Sequence, residues 1–327
     1  MKAPAFWSLP QPTRLARLLR PLGAIYGRQT LRRMALPGRR VAVPVICVGN
    51  FTLGGAGKTP AAIAIGKTLL AMGERVAFVS RGYGGAARAE PVVVDLAMHG
   101  ARLVGDEPLL LARVAACYVG GDRLAGALAA IEAGASVVVM DDGLQNPRIA
   151  KDLSFAAIDV EFGFGNGLCF PAGPLRAPVA AQLLYVTAAI LIGEAPAPAL
   201  FAGAPAFTAR LRPDGQAAAR LLGQRVVAFA GIARPPKFYA TLAAMGARIV
   251  GTRDFPDHHP FATHEIDALR AQALALDAQL VTTEKDWVRL DREQRRGVFV
   301  APVELVFDDA GELARLLGAA LAARRSR

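Results

Sequence analysis

Apolar and polar positions along this chain fall into two alternating patterns. Residues 43–49 are apolar and β-branched, as in a strand buried on both faces. A glycine-rich stretch separates them from a helical pattern over residues 58–72, with Gly73 as its C-cap. Further strands are predicted near residues 75–79 and 91–95, at 117–119, 136–140 and 154–159, with helices over 107–115 and 123–133. Strands alternating with helices predict an α/β fold, a parallel sheet covered on both faces. The run 162–178 is rich in Gly and Pro and predicts an ordered, irregular loop, which, if not a mere linker, lies over a site. Around residues 195–213 the composition shifts to Ala, Pro and Gly, where a domain junction is expected. The pattern then resumes with strands at 225–230, 248–252 and 279–282, and helices at 236–245, 264–276 and from 311 onward. The expected division is an N-terminal segment 1–40, a larger domain 41–213 and a smaller α/β domain 214–327.

A chain of 327 residues with 53% hydrophobic and 20% charged positions can bury two cores, and this composition argues against disorder. No run of 18 apolar residues predicts a membrane-spanning helix, and Arg14, Arg17 and Arg20 interrupt any secretory signal. Cys47, Cys117 and Cys169 form no CxxC pair, so they read as buried small side chains in a reduced compartment, with no structural zinc.

Charge is unevenly placed. Residues 1–73 carry eleven Lys and Arg and no Asp or Glu, whereas the remainder carries 27 of each sign. The net charge of +11 therefore resides in the N-terminal part, which points to an anionic partner. There, apolar residues at 15, 18, 19, 22, 25 and 26 share one helical stripe, with Arg14, Arg17, Arg20 and Arg28 on the other side. This pattern suits a helix lying on a membrane surface, with Phe6 and Trp7 as candidate anchors and Pro21 dividing it into two short helices. A helix packed on the core with a solvated basic face is the alternative. No nucleic-acid motif supports a nucleic-acid partner.

The chemistry begins where the first strand ends. In Val45-Ile-Cys-Val-Gly-Asn-Phe-Thr-Leu-Gly-Gly-Ala-Gly-Lys-Thr-Pro60, a strand runs into glycines and a helix opens at Gly57-Lys58-Thr59. Main-chain N–H groups of Gly54, Gly55, Ala56, Gly57, Lys58 and Thr59 can wrap a triphosphate, helped by the helix N-terminus. Lys58 can reach the β- and γ-phosphates of ATP, and the Thr59 hydroxyl can ligate Mg²⁺. Thr52 stands where the strict P-loop pattern has glycine. The segment 136–142 ends an apolar strand in Asp141-Asp142, the expected metal-binding carboxylates of a P-loop NTPase-like sheet. For acid–base work there are Asp106, in Gly105-Asp-Glu-Pro108, and the pair His258-His259. From its position alone Asp106 reads first as a helix N-cap.

Taken together, Gly54-Gly-Ala-Gly-Lys-Thr-Pro60, Ser80-Arg-Gly-Tyr-Gly-Gly85, Gly105-Asp-Glu-Pro108 and Asp141-Asp-Gly-Leu-Gln145 resemble the tetraacyldisaccharide 4′-kinase family of lipid A biosynthesis. Pro171-Ala-Gly-Pro-Leu-Arg176, Gly231-Ile-Ala-Arg-Pro235, Asp257-His-His259 and Thr283-Glu-Lys-Asp286 extend the resemblance along nearly the whole chain. It implies a kinase at the cytoplasmic face of the inner membrane. The enzyme would use ATP and Mg²⁺ to phosphorylate the 4′-hydroxyl of a tetraacylated glucosamine disaccharide 1-phosphate. Asp106 would be the base, paired with His258, with Lys58 on the phosphates and Thr59, Asp141 and Asp142 on the metal. Arg123, Gln145 and Arg176 would contact the nucleotide, and Asn50, Tyr83 and Glu107 the acceptor. The family has Glu after Pro-Leu-Arg, where this chain has Ala177, so any role of that carboxylate is expected to be absent or met elsewhere, for instance by Glu107 or Glu161. A membrane-associated P-loop ATPase switch and a non-catalytic nucleotide-gated module are the alternatives.

Overall fold

Apolar β-branched runs become strands buried on both faces when helices cover a parallel sheet. The computed structural model describes residues 4–82, 85, 90–196, 198–201 and 205–326, and its central strands follow this rule. The strands are β1 Val45–Gly49, β2 Val76–Ser80, β3 Val92–Val93, β4 Ala116–Val119, β5 Val137–Asp141, β6 Leu153–Asp159 and β7 Ala188–Ile192. They continue with β8 Ala206–Pro213, β9 Arg225–Ala230, β10 Arg248–Asp254, β11 Gln279–Thr282, β12 Val298–Val300 and β13 Val303–Phe307. The helices are α1 Arg14–Met34, α2 Lys58–Ala71, α3 Ala101–Val104, α4 Asp106–Ala112, α5 Arg123–Glu132 and α6 Val179–Leu183. After them come α7 Gly215–Leu221, α8 Pro235–Ala244, α9 Thr263–Ala275, α10 Glu284–Trp287 and α11 Ala310–Arg325.

The larger sheet has the order β13-β8-β7-β6-β1-β5-β2-β4-β3. Strands β8 to β4 in that order are parallel, and the edge strands β13 and β3 are antiparallel. β1, β2, β5 and β7 are buried at every position. Ile65 and Leu69 of α2 pack on one face with Leu313, Leu317 and Leu321 of α11, while Met34 of α1 and Ala127 of α5 pack on the other. A parallel four-stranded sheet, β10-β9-β11-β12, lies between α7 and α8 on one face and α9 on the other.

The chain departs from its sequence reading in several places. First, residues 303–325, expected in the smaller domain, return to the larger sheet, where β13 pairs with β8 and α11 covers α2. Second, β8 lies where a junction was expected. Its alternation is carried by Phe207 and Ala209, and the alanine-rich surroundings hide it. Third, α1 runs unbroken through Pro21. Pro21 is exposed, so the carbonyl it leaves without a partner can face water, while the opposite face is held tightly. A Cβ on Gly23 would lie 2.6 Å from the Cys169 carbonyl oxygen, and one on Gly27 would lie 3.1 Å from Cys169 Sγ. Trp7, expected as an anchor, is buried, with its indole N–H donating to the Pro171 carbonyl. Leu15, Leu18, Leu22 and Ile25 form an exposed stripe along α1.

Candidate active site

In an open α/β sheet, ligands bind beyond the carboxyl ends of the strands where the strand order reverses. Here β1 leads through α2 to β2 on one side, whereas β5 leads to β6 on the other side of β1. The loop after β1 lies at that point. Gly54 and Gly55 are exposed, and among the described residues none accepts a hydrogen bond from the main-chain N–H groups of Gly54 to Thr59. Six adjacent segments of backbone with free donors at a helix N-terminus make an anion cradle. Lys58 Nζ folds back over the loop to donate to the Gly54 carbonyl at 3.2 Å. Gly57 has φ +80°, and a Cβ there would meet Ile192 Cδ1 at 2.6 Å. We expect Gly57→Ala to lower stability by about 1–2 kcal/mol through the left-handed backbone alone and to weaken ATP binding. A thermal melt and an ATP titration that both matched the unsubstituted protein would refute the steric account.

Asn50 shapes this loop from beneath. It is fully buried, and its Nδ2 donates to Thr52 Oγ1 and to the Gly54 carbonyl, at 3.4 and 3.3 Å. Its expected acceptor-facing position is thus a loop-supporting one here, although its buried Oδ1 has no partner. Thr52 Oγ1, in place of the strict-pattern glycine, supplies the oxygen that orients this amide. Gln145 Nε2 donates to the Asn50 carbonyl at 2.9 Å and to Gln182 Oε1 at 3.3 Å. Gln182, absent from the sequence reading, is fully buried and donates to the Phe51 and Ala177 carbonyls. Ala177 is itself buried, and its Cα lies 3.6 Å from where a Cβ on Gly27 would sit.

The two aspartates after β5 have different surroundings. Asp141 Oδ2 accepts from the Thr59 hydroxyl at 3.0 Å, whereas its Oδ1 is buried without a partner. Burial, with Glu107 and Asp142 adding negative charge, pushes the Asp141 carboxyl up to about 7. A buried hard-oxygen pair short of positive charge, with one carboxylate oxygen unmatched, fits Mg²⁺. Asp142, with φ 52°, is bridged by Arg176 Nη2 at 3.1 Å to both oxygens. Burial works to raise it, but Lys58, Arg176 and Arg123 outweigh that and bring it to about 2. Arg123 donates to the Asp142 carbonyl at 2.8 Å, and its Nε is buried without a partner. Of the two carboxylates considered for Ala177, Glu107 is the one that bears on Asp141; Glu161 pairs with Lys237.

Asp106 opens α4 rather than capping it, since Gly105 (φ 88°) holds the cap position. Its Oδ1 accepts from the Glu107 N–H at 3.0 Å. Its Oδ2 lies 3.1 Å from His258 Nδ1, on the loop after β10, and also accepts from Arg289 Nε at 2.9 Å and from Arg289 Nη2. His258 adopts φ 60°, with its N–H donating to the Gly231 carbonyl. A side chain held in this left-handed region is a form of strain often stored at functional sites. With a proton on Nδ1, the ring donates to Asp106, and its Nε2 faces Lys285 Nζ at 3.4 Å. Burial would raise the Asp106 carboxyl. The His258 hydrogen bond and the charges of Lys285 and Arg289 win, holding it well below the usual carboxylate range. His258 therefore acts on an ionised carboxylate that it orients, and does not raise its basicity. Glu107 Oε1 is 3.9 Å from Lys285 Nζ. Tyr83 lies outside the described residues. Lys285, Asp286 and Arg289 were given no role by the sequence, although Thr283-Glu-Lys-Asp286 was conspicuous as a motif.

The two sheets meet at this site. Ala233 Cβ lies 3.9 Å from where a Cβ on Gly55 would be, and Arg234 and Lys237 both bridge to Asp159 at 2.8 Å.

A family model described as tetraacyldisaccharide-1-P 4′-kinase matches residues 15–322. The chain is 54% identical over 329 residues to the tetraacyldisaccharide 4′-kinase of Methylobacterium radiotolerans, covering 99% of this chain and 100% of that one. It is 48% identical over 335 residues to the tetraacyldisaccharide 4′-kinase of Bradyrhizobium diazoefficiens, covering 100% and 98%. Among solved structures, LpxK from Aquifex aeolicus in complex with ATP has the same fold, with a TM-score of 0.75. The two are 23% identical, over 94% of this chain and 99% of that one.

Proposed function

This chain belongs to the tetraacyldisaccharide-1-P 4′-kinase family, as an ATP-dependent kinase of lipid A biosynthesis, and from that premise we propose which hydroxyl it phosphorylates and how. The acceptor is the 4′-hydroxyl of a tetraacyl glucosamine disaccharide 1-phosphate. The free N–H groups of Gly54 to Thr59 carry this reading, because they form a triphosphate cradle beside Thr59 and Asp141. ATP lies on that cradle, with Lys58 at its β- and γ-phosphates and Arg123 and Arg176 beside them. Thr59 and Asp141 would hold Mg²⁺, with Asp142 next to them. When bound, the ion neutralises charge on the phosphate oxygens. Asp106, ionised and oriented by His258, accepts the hydroxyl proton. The hydroxyl oxygen bonds to the γ-phosphorus, the bond to the β–γ bridging oxygen breaks, and ADP leaves. Glu107, whose Oε1 lies 3.9 Å from Lys285 Nζ, is on the acceptor side. Family membership does not favour a membrane-associated ATPase switch, which would need no acceptor base.

The lipid acceptor calls for a membrane seat, at the cytoplasmic face of the inner membrane. No helix among the described residues is long and apolar enough to cross a bilayer. Support for surface binding comes from the exposed stripe Leu15, Leu18, Leu22 and Ile25, flanked by exposed Arg14, Arg17 and Arg28. Each arginine near an anionic surface contributes about 1 kcal/mol, and each inserted leucine about 1.5–3 kcal/mol. Leu18→Glu combined with Leu22→Glu therefore weakens binding to anionic vesicles by about a hundredfold or more, while the melting temperature changes little. Co-sedimentation measures this, and unchanged binding would remove α1 as the membrane contact.

The direct test supplies γ-labelled ATP and a tetraacyl disaccharide 1-phosphate. Label appearing in the lipid at the 4′ position supports the reading. ATP hydrolysis with no label in lipid would overturn it.

A further inference from the structure

Arg289 takes no part in the reaction as described, yet it is 5% exposed and each nitrogen of its guanidinium donates at least one hydrogen bond. Nε and Nη2 grip Asp106 Oδ2. Nη1 donates to the Gly231 carbonyl at 2.7 Å and to Asp286 Oδ1 at 2.8 Å. Asp286 is fully buried and is fixed in turn, accepting from the Gly231 N–H at 3.0 Å and the Thr283 hydroxyl at 2.7 Å. A rigid chain therefore runs from Thr283 through Asp286 and Arg289 to Asp106, from the smaller sheet's side of the site to the larger.

We propose that Arg289 is a positioning residue for phosphoryl transfer: it locks Asp106 Oδ2 and so presents Oδ1 as the oxygen that takes the acceptor proton. This rests on the reading of Asp106 as the base. Three donors converge on Oδ2, two from Arg289 and one from His258, so no lone pair there is left for a substrate hydroxyl. Oδ1 accepts a single main-chain bond, from Glu107, and keeps a free lone pair. The grip has an opposing effect, since a carboxylate facing Arg289, His258 and Lys285 is a weak base. Phosphoryl transfer tolerates that, because its loose transition state depends more on placement than on early proton removal. The charged groups around Asp106 are His258 and Asp257 on one loop, Lys285, Asp286 and Arg289 on and after α10, and Glu107 on its own helix.

The test compares kcat against pH for the full-length enzyme and for R289M, R289K and D106N, with ATP and the lipid acceptor. R289M loses about a hundredfold in kcat at neutral pH, the size of effect that misplacing a reacting group by about 1 Å produces. Its KM for ATP stays unchanged, and the acid limb of its profile moves upward, because burial then acts on Asp106 with less opposition. R289K keeps the charge but not the fork, so its acid limb stays low while kcat falls about tenfold. An equal loss at every pH with no movement of the limb would mean a merely structural role and would overturn the proposal. Wild-type kcat in both Arg289 variants would overturn it too. If R289M does not fold, R289K decides, and a normal kcat there defeats the assignment. An active D106N defeats the base reading itself; an inactive D106N beside unaffected Arg289 variants defeats only the positioning role.

Discussion

Asp106→Asn lowers kcat by about 10²- to 10⁴-fold, the usual worth of a positioned general base, and leaves ATP affinity nearly unchanged. The reason is local. Asparagine keeps the shape of the side chain and can still accept from the Glu107 N–H, but it cannot take a proton. The proposed nucleotide cradle lies on the loop after β1, and the described contacts of Asp106 run instead to His258, Arg289, Lys285 and Glu107. The substitution also leaves Arg289 with Asp286 as its remaining carboxylate partner, and breaking a buried pair typically destabilises by about 3–5 kcal/mol. ATP affinity therefore serves as the internal control for folding. Isothermal titration with ATP and single-turnover kinetics with the lipid acceptor separate the two effects. A variant that binds ATP and transfers phosphate at the wild-type rate would end the assignment of Asp106. In the unsubstituted enzyme, a carboxyl held this far below the usual range stays ionised through neutral pH. It therefore contributes no acid limb above about pH 5.

Lys58→Ala should lose both binding and turnover. One charged hydrogen bond to phosphate contributes about 1.5–3 kcal/mol, so ATP affinity falls by roughly tenfold to a hundredfold, and kcat falls as well because the same ammonium meets charge that grows in the transition state. The structure adds a second reason. Lys58 counters the negative charge of both Asp141 and Asp142, and without it these carboxylates lie closer to self-repulsion. Lys58→Arg distinguishes the two contributions, since it keeps the charge while changing the reach. Binding and turnover both unaffected in Lys58→Ala would mean that the loop after β1 is not the phosphate site.

Local patterns in the chain carry most of the larger sheet and the glycine loop after β1. β1 and α2 are neighbours in sequence, and the glycines between them need only their own backbone freedom to form a cradle. Strands β9 and β11 match their expected bounds, residues 225–230 and 279–282, because short β-branched runs between turn residues leave few alternatives. Other features depended on contacts between distant segments. β8 was masked by alanine and β13 by its position after the smaller sheet, and each is stabilised as a strand by pairing with the other. The unbroken path of α1 through Pro21 depends on how closely Gly23 and Gly27 approach Cys169, about 145 residues away in sequence.

The candidate site divides along the same line. Sequence by itself determined the glycine loop after β1, the lysine that opens the following helix and the aspartates at the end of β5, because strand, loop and helix terminus are set by adjacent residues. Only the tertiary structure decided that Asp141 turns to Thr59 while Asp142 turns to Arg176, that Asn50 supports the loop, and that Asp106 is gripped by Arg289 as well as His258. An acidic residue reads the same in a sequence whatever charge faces it. For Asp106 the partners that set ionisation and aim come from elements about 150 to 180 residues away, so its balance between burial and opposing charge exists only once the two sheets are packed together.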